Sequence, residues 1–467
     1  MKIKAYIYTW AVIPIMVIAT VLLSLHSWEL RAFALSIEEE TTLGKQFLAN
    51  VKKHFELIDD SFAANYFNNL GHYLIQPLET KPFPFHFYIV KDNSLNAFAA
   101  PGGHIFMFSG LINSLENIDE LSAVVCHEIG HVSARHLSQR IEQSKKIGMA
   151  TMAGVLAGAL IGGKAAGALI TGSMAAGIQT QLHYSRTDER QADQLGFKYM
   201  NTAGFDPAGM IGALKEIEQG RYLGSDKVPT YLLTHPTGPE RMSNLEAMLS
   251  HYKPQTSKKE TTYFEEMFPF FQTVVRAKSV DFDEAERLFM LDLEKAQDNP
   301  LPLFGLGITY KEKAEYPTAI HYLKKAHEEK PRFIPILTSL GETYLLKGEI
   351  NKAVSTLKEA LEIDRGNKSV IFLLGLSLEK LDQYEKAIPL FEKLAALPPV
   401  KNEVYYHLGL SYGRQERLAL AHYNFGIYFR ELAQIQKAKF HFRKAEELSD
   451  NNPELREKIN KAAKGLL

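Results

Sequence analysis

The sequence contains a single cysteine, Cys126, among 467 residues. One thiol cannot form a disulfide within the chain, and it cannot supply a zinc site built from several thiolates. The chain also lacks an excess of either charge, since 53 Lys and Arg residues stand against 54 Asp and Glu residues. Nucleic-acid binding normally needs a concentrated basic face. The composition therefore excludes a disulfide framework and gives no support to nucleic-acid binding.

Disorder along the whole chain is excluded as well. Apolar residues make up 46% and charged residues 23% of the chain, which is typical of folded proteins. A length of 467 residues is well beyond that of an ordinary single domain. We therefore expect two or more folded domains.

The amino terminus resembles an export signal. Lys2 and Lys4 precede an apolar run over residues 5–25, and Ala32 and Ala34 provide small residues where a signal peptidase would cut. The run is also long enough, at about 20 residues, to span a bilayer uncut. We predict a signal peptide or membrane anchor over residues 1–34, with a buried core helix as the third alternative. The first two alternatives both place the remainder of the chain outside the cytoplasm.

Residues 35–250 mix helix and strand signals and are predicted to form one α+β domain. Residues 84–90 read as a strand, and residues 96–100 and 104–109 as a hairpin-like pair. Residues 116–139 read as one helix. The fold class is thus α+β, mainly helical in the chain as a whole.

The carboxy-terminal part is periodic and predicted to be all-helical. Small residues recur every 34 residues in two series, Gly307, Gly341, Gly375, Gly409 and Ala319, Ala353, Ala387, Ala421. This register resembles the tetratricopeptide repeat, a stacked pair of helices. We predict a linker over residues 251–262 and a repeat solenoid over 263–467. The concave face of such a solenoid normally binds peptides or partner proteins, although it could instead only pack on the first domain.

The strongest chemical signal is the HExxH motif, His127-Glu128-Ile-Gly-His131. Histidines four apart lie on one helix face, about 40° apart, so both can reach one metal ion. Glu128 lies about 100° from His127, close enough to take a proton from water activated by the metal. A catalytic zinc needs three protein ligands and an open position.

The third ligand must come from another part of the sequence. Ala134 and Leu137 occupy the positions where the extended three-histidine motif has glycine and histidine. His136 lies about 140° from His131 on a continuous helix, and we interpret it as structural or orienting rather than as a ligand. Glu189 and Asp193 share a helix face, so one could bind zinc while the other accepts a histidine N–H. The alternative is a solvated charged face.

HEIGH followed by SRTDERQAD resembles the zinc metallopeptidase family of HtpX and the CAAX prenyl protease. The order of signal-like start, peptidase domain and repeats resembles the family's periplasmic member that carries tetratricopeptide repeats. The resemblance implies a gluzincin-like domain with one Zn²⁺ per chain. It implies that His127, His131 and Glu189 are the zinc ligands. It also implies that Glu128 is the general base and that Asp193 orients a ligand. One departure is Gln191, where the family more commonly has glutamate.

The resemblance also implies roles for His235 and Arg241. Both would lie over the metal and stabilise the oxyanion, or His235 would occupy the fourth zinc position and keep the enzyme latent. Asn96, Ala97 and Phe98, with the strand that follows, match the family's substrate-binding edge, where a peptide could add as a further strand. The alternative is an ordinary core strand.

Residues 148–178 are rich in alanine and glycine, with Lys164 near the middle. A charge at the centre of a membrane span costs about 3 kcal/mol. We favour two short packed helices, which could contact a membrane peripherally, over a true span.

Together these features predict a periplasmic or otherwise exported zinc metalloendopeptidase, with association with a membrane left open. Its substrates would be unfolded or assembling envelope proteins, and the repeats would bind the outer-membrane β-barrel assembly machinery, a partner that rests on the resemblance alone. The alternative from another class is a zinc-containing chaperone or assembly adaptor with little protease activity. An inner-membrane quality-control protease is the third.

Overall fold

The computed structural model describes residues 35–143, 184–220, 229–236, 238–252, 259–449 and 452–466. The predictions for residues 1–34 and 148–178 lie outside these ranges. Within them, no helix combines the length and the apolar character that crossing a membrane requires. The chain divides into two compact units, residues 1–57 with 67–265 and residues 58–66 with 266–467. Sequence reasoning assigned residues 58–66 to the first domain.

The described part of the first unit combines helices with one small sheet. Its elements are α1 (Ile37–His54), α2 (Ser61–Leu74, shared with the second unit), β1 (His86–Val90), β2 (Ala97–Ala100), β3 (His104–Phe108), α3 (Ser109–Ser114), α4 (Ile118–Ser133), α5 (His136–Gln143), α6 (Arg186–Ala203), α7 (Gly209–Gln219), α8 (Thr230–Thr234) and α9 (Pro239–Ser250). An aromatic and aliphatic core joins Phe47 of α1 to Phe98 and Phe106 of the sheet. This core lies between the sheet and helices α1 and α5.

The three described strands have the order β1-β3-β2. β2 and β3 form the predicted hairpin, pairing antiparallel with Phe98 opposite Phe106. Gly102 and Gly103 turn the chain between them at φ values of 75° and 82°, which favour glycine. β1 pairs with β3 in parallel. Because β3 is central, it cannot accept a further strand, and of the predicted substrate-binding segment only β2 lies at an edge.

The helix predicted over residues 116–139 is wrong as a single element. It ends at Ser133, and α5 begins at His136. Between them Arg135 has a φ of 54°, in the left-handed region that ends a helix. The side chain of Arg135 binds the carboxylate of Glu40 at 2.7 Å and the backbone oxygen of Leu35, which ties the break to α1.

The second unit consists of consecutive helices that pack on their neighbours along the chain. They are α10 (Lys259–Ser279, whose first residues belong to the first unit), α11 (Phe282–Lys295), α12 (Pro300–Glu312), α13 (Tyr316–Glu329), α14 (Ile334–Lys347), α15 (Ile350–Ile363), α16 (Lys368–Lys380), α17 (Tyr384–Ala395), α18 (Asn402–Arg414), α19 (Leu418–Glu431), α20 (Ile435–Glu447) and α21 (Pro453–Ala462). α10 includes residues 259–262 of the predicted linker.

The repeating glycines mark the closest helix approaches. A Cβ on Gly341 would lie 2.6 Å from Leu357, and one on Gly375 would lie 2.7 Å from Phe391. The first helix of each pair thus leaves room for a large side chain of the second. Ala353 and Ala387 are fully buried at the repeat's second small position. The predicted fold class, α+β and mainly helical with an all-α repeat region, is confirmed.

Candidate metal centre

α4 carries the HExxH motif in the interior of the first unit. Asn117 caps the start of the helix, where its side chain accepts a hydrogen bond from the backbone N–H of Glu120 at 3.0 Å. Every residue from Glu120 to Val132 is buried, so the motif lies in the interior of the first unit. As expected from their spacing, His127 and His131 face the same point, with their Nε2 atoms 3.0 Å apart.

α6 brings a carboxylate pair to the same point. Ser185 and Asp188 form a capping box at its start, and Gly204 ends it at a φ of 92°. α6 packs closely on α4 because two glycines lack a side chain there. A Cβ on Gly130 would lie 2.8 Å from the backbone of Ala192, and one on Gly196 would lie 3.2 Å from the backbone of His127.

Glu189 reaches the two histidines. Its Oε2 lies 3.6 Å from Nε2 of His127, and its Oε1 lies 3.5 Å from Nε2 of His131. Two ligands of a tetrahedral zinc, each about 2.0–2.1 Å from the metal, are about 3.3 Å apart. The three side chains are therefore close to the spacing that one zinc ion would require.

Asp193, one turn after Glu189, orients His127 instead of facing the same point. Its Oδ1 lies 2.9 Å from Nδ1 of His127, which leaves Nε2 of that ring directed at the shared point. Arg241 donates to both oxygens of Asp193 at 2.8 Å. Burial alone would raise the pKa of Asp193, but Arg241 and His127 outweigh it, so that the pKa is lowered. Asp193 is thus held as a carboxylate that accepts the N–H of His127.

His235 supplies a fourth atom at this point. Its Nδ1 lies 3.1 Å from Oε1 of Glu189 and 3.4 Å from Nε2 of His127. Its other nitrogen, Nε2, lies 3.5 Å from Oε1 of Glu128. The ring stacks on Tyr231 at a centroid distance of 4.4 Å. His127, His131, Glu189 and His235 together form a buried cluster of potential metal ligands, all mutually within 4.8 Å.

Several polar atoms around this point lack hydrogen-bond partners within the described ranges. They are Oε1 and Oε2 of Glu128, Oε2 of Glu189, Nε2 of His235 and Nη1 of Arg241. Nη1 of Arg241 and Oε2 of Glu189 are 2.9 Å apart but lack the alignment of a hydrogen bond. Because buried polar groups are nearly always paired, an orphan cluster of donors and ligands indicates a missing partner such as a metal ion or water.

Neighbouring charged groups in the cluster shift one another's pKa values. Burial would raise the pKa of Glu189, but His235 and Arg241 outweigh it and hold the pKa well below the usual range. Burial lowers the pKa of His131 well below its usual value, against the opposing effect of Glu189. Burial also disfavours charge on His235, but Glu189 and Glu128 outweigh it and raise its pKa. Glu189 is therefore ionised and His131 neutral, as metal ligands must be.

Sequence reasoning missed two tyrosine neighbours of the cluster, Tyr184 and Tyr231, and it interpreted His136 as structural or orienting without indicating which group this ring contacts. The ring of Tyr184 lies 3.8 Å from that of His131, and Tyr231 stacks on His235. Nδ1 of His136 lies 3.0 Å from Nδ1 of His131. A tyrosine directly before the SRTDE segment was the only available signal for Tyr184. The contact of His136 depends on the break at Arg135, which no spacing rule indicates.

The predicted substrate-binding residues lie close to the segment that carries His235. Asn96, Ala97 and Phe98 are fully buried. The backbone N–H of Tyr231 donates to the backbone oxygen of Leu95 at 3.2 Å, directly before them. The start of β2 and the segment of His235 are thus held together by the backbone.

Comparison with protein families gives one match for each half of the chain. Residues 18–249 match peptidase family M48, and residues 312–394 match subunit 3 of the anaphase-promoting complex, or cyclosome. The first match contains the buried cluster. The second lies within the periodic helices.

Two curated relatives match part of the chain. The β-barrel assembly-enhancing protease of Yersinia pestis is 32% identical over 233 residues, which cover 49% of this chain and 48% of that protein. A putative β-barrel assembly-enhancing protease of Vibrio cholerae serotype O1 is 28% identical over 302 residues, which cover 64% of this chain and 62% of that protein. The chain therefore spans about half the length of the first relative and less than two thirds of the second.

A solved structure of MamA aligns with 36% of this chain and 90% of its own at 25% identity. Its TM-score of 0.29 is too low to establish a shared fold.

Proposed function

Since residues 18–249 belong to peptidase family M48, we propose that the chain is a zinc-dependent metalloendopeptidase that hydrolyses peptide bonds of other proteins. The resemblance drawn from HEIGH and SRTDERQAD is confirmed by this match. β-Barrel assembly-enhancing proteases are among the matched relatives.

The observation that carries the proposal is the convergence of His127, His131 and Glu189. Their facing atoms are 3.0–3.6 Å apart, and the point between them is lined by polar atoms without partners in the described ranges. Two imidazoles and one carboxylate are a donor set typical of catalytic zinc. The residues present thus fit one zinc ion, which would polarise the scissile carbonyl and lower the pKa of water to about 7.

Glu128 is the proposed general base. It is fully buried, and neither of its carboxylate oxygens has a hydrogen-bond partner in the described ranges. A carboxylate oxygen of Glu128 would take the proton of the attacking water and pass it to the leaving amine.

For His235, we propose the latent arrangement. Nδ1 of His235 lies among the three ligands, at the position that water or the substrate carbonyl would need. The segment of His235 must therefore move before the reaction, and its backbone contact with Leu95 must then break or shift. Such a movement would also expose the start of β2, where we propose that Asn96, Ala97 and Phe98 align a substrate strand.

Arg241 is proposed to hold the charges of the site. Its guanidinium binds both oxygens of Asp193 and lies against Glu189. These contacts favour a role in fixing the carboxylates over direct contact with a substrate oxyanion.

Substrates, partners and location are proposed from the relatives. We propose that the chain is exported to the periplasm and acts on unfolded or assembling envelope proteins, as the words β-barrel assembly-enhancing protease suggest for its relatives. The proposed division of labour is a peptidase domain over residues 35–250 and a repeat domain over 263–467 that recruits clients or the β-barrel assembly machinery. We also propose that the repeats have a chaperone-like role towards the clients that they bind.

The test measures zinc content and casein degradation for the full chain, Glu128→Gln and His235→Ala. We expect one zinc per chain in the parent and in Glu128→Gln, with hydrolysis reduced by about 10²–10⁴-fold in the variant because the base is lost. Hydrolysis that is equal in Glu128→Gln and the parent would contradict the assignment.

The His235→Ala variant distinguishes the two roles of this histidine. Faster casein degradation than in the parent supports the latent arrangement, whereas slower degradation at equal zinc content supports a catalytic role. If Glu128→Gln abolishes hydrolysis but supports client assembly as well as the parent does, the adaptor function dominates.

A further inference from the structure

One of the proposed zinc ligands, His131, contacts a further buried histidine, His136. His136 is 2% exposed, and its Nδ1 is 3.0 Å from Nδ1 of His131. On the other side of its ring, Nε2 of His136 is 3.0 Å from Oε1 of Gln191. Three side chains from α4, α5 and α6 therefore form a continuous line of hydrogen-bonding atoms that ends at the metal-facing ring of His131.

The break after α4 makes this line possible. On a continuous helix, a residue five positions after His131 would point about 140° away from it. The left-handed conformation of Arg135 redirects the chain so that His136 faces back towards His131. The ion pair of Arg135 with Glu40, at 2.7 Å, holds the redirected segment.

With both imidazoles neutral, the hydrogen bonds of this line have only two possible directions of donation. When Nε2 of His131 keeps its lone pair for a metal, Nδ1 must carry the hydrogen and donate it to Nδ1 of His136. His136 then carries its hydrogen on Nε2 and donates it to the amide oxygen of Gln191. In the reverse direction, Nδ1 of His136 donates to His131, whose hydrogen then sits on Nε2 and blocks metal binding there.

We propose that Gln191 and His136 form a hydrogen-bond relay that sets the tautomer of His131, and that the amide of Gln191 leaves this setting reversible. An amide can present either its oxygen or its NH₂ group to His136, so it supports both directions of the relay. A carboxylate at the same position would only accept, and would hold Nε2 of His131 free for metal.

The other histidine ligand has a different support. Nδ1 of His127 lies 2.9 Å from the carboxylate of Asp193, which can only accept, and 3.2 Å from Nη2 of Arg241, which also donates to that carboxylate. The two ligands of the HExxH motif therefore differ in how firmly their tautomers are fixed. Whether Nε2 of His131 is free to bind metal depends on the neutral amide of Gln191, which acts through His136.

The inference rests on the proposed function, because it assumes that His131 binds zinc through Nε2. Chelator competition on the full chain measures the zinc dissociation constant for the parent and four variants. His136→Phe removes the acceptor for His131, and His136→Asn restores one close to the position of Nδ1. Gln191→Met removes the acceptor for His136, and Gln191→Glu replaces the amide with an obligate acceptor.

We expect His136→Phe to weaken zinc binding about 10–100-fold, the usual effect of losing a partner of a metal ligand. His136→Asn should recover most of this loss. Gln191→Met should weaken zinc binding and Gln191→Glu should strengthen it, whereas a purely structural role predicts no opposite shifts from two substitutions at an exposed position. Thermal unfolding of the metal-free variants checks that the fold is retained.

Equal zinc affinity in the parent, Gln191→Met and Gln191→Glu would overturn the relay while leaving the proposed function intact. Equal losses in His136→Asn and His136→Phe would also overturn it. A parent chain that binds no zinc would instead contradict the proposed function itself.

Discussion

The metal centre and the helical repeats bury opposite kinds of side chain. The metal centre buries charged and polar groups, such as Glu128, Glu189 and Arg241, several of whose atoms lack partners in the described ranges. The repeats bury mainly small residues against large apolar ones, as at Gly341 and Leu357. The metal centre thus has buried polar atoms that a ligand could bind, whereas the repeats bury few groups that could bind a ligand or react. Joint burial of histidine, carboxylate and guanidinium groups thus distinguishes the candidate metal centre from the structural repeats.

Histidines in the repeats sharpen this comparison. Nδ1 atoms of His422 and His441 are 2.9 Å apart, as close as those of His131 and His136. The ring of His441 stacks against Phe429 at 5.3 Å. Within the described ranges, this pair is not part of a cluster of three or more potential metal ligands. Proximity of two imidazoles is therefore not sufficient evidence for a metal site.

The largest effect is expected when the charge balance of the metal centre is broken. Arg241→Ala leaves Asp193 and Glu189 buried without their cation, which should destabilise the metal-free first unit by about 3–5 kcal/mol. Hydrogen exchange of peptides from α4 and α6 measures this loss.

Arg186→Ala provides the matched control. Arg186 is also paired with a carboxylate, that of Glu240 at 3.5 Å, but its side chain is 87% exposed. Its loss should cost at most about 1 kcal/mol. Equal effects of the two substitutions would show that the buried charges at the metal centre are not tightly balanced.

A smaller effect is expected from acid. Burial, and to a lesser extent His86 and Lys52, lowers the pKa of His104 in the first unit to about 4. An unfolded histidine titrates near 6.5, so between about pH 6.5 and 4 the unfolded chain binds a proton that the folded chain excludes. The contribution of His104 to the free energy of unfolding is therefore fully present above pH 6.5 and is lost, by up to about 3 kcal/mol, as the pH drops to about 4.

Substitution isolates this contribution. His104→Asn should flatten the acid dependence of hydrogen exchange in β3. His441 also has a pKa lowered to about 4, by burial and by His422, but it is only partly buried. His441→Asn should therefore change the acid dependence less, because solvent screens a partly exposed group. A larger change for His441→Asn would contradict this ranking.

The smallest effect concerns the packing of the repeats. Gly341→Ala places a Cβ 2.6 Å from Leu357, and the resulting overpacking should destabilise α14 and α15 by about 1–2 kcal/mol. Gly413→Ala is the same substitution in α18, where the nearest atom, on Ala421, is 3.8 Å away. It should stabilise its helix by about 0.5–1 kcal/mol. Hydrogen exchange should show the opposite signs, with zinc content unchanged in both variants.

The repeats and the HExxH helix were predictable because each is encoded by local periodicity. A 34-residue recurrence of glycine and alanine needs no knowledge of distant contacts, and neither do two histidines four apart on a helix. The approach of Glu189 was indicated by its motif rather than by spacing alone. Local pattern was thus sufficient where neighbours along the chain are also neighbours in space.

The remaining features depend on tertiary contacts. At the helix break, Arg135 pairs with Glu40, 95 residues earlier in the sequence, and the break brings His136 to His131. The central position of β3 follows from parallel pairing with β1, which alternation of apolar residues does not reveal. Neither contact has a signature in the local sequence.

The most direct test of the account is a crystal structure of the full chain with zinc, measured with anomalous diffraction at the zinc absorption edge. The account predicts one strong anomalous peak about 2.0–2.2 Å from Nε2 of His127, Nε2 of His131 and a carboxylate oxygen of Glu189. A zinc peak that excludes Glu189, or zinc bound only at other residues, would contradict the central claim.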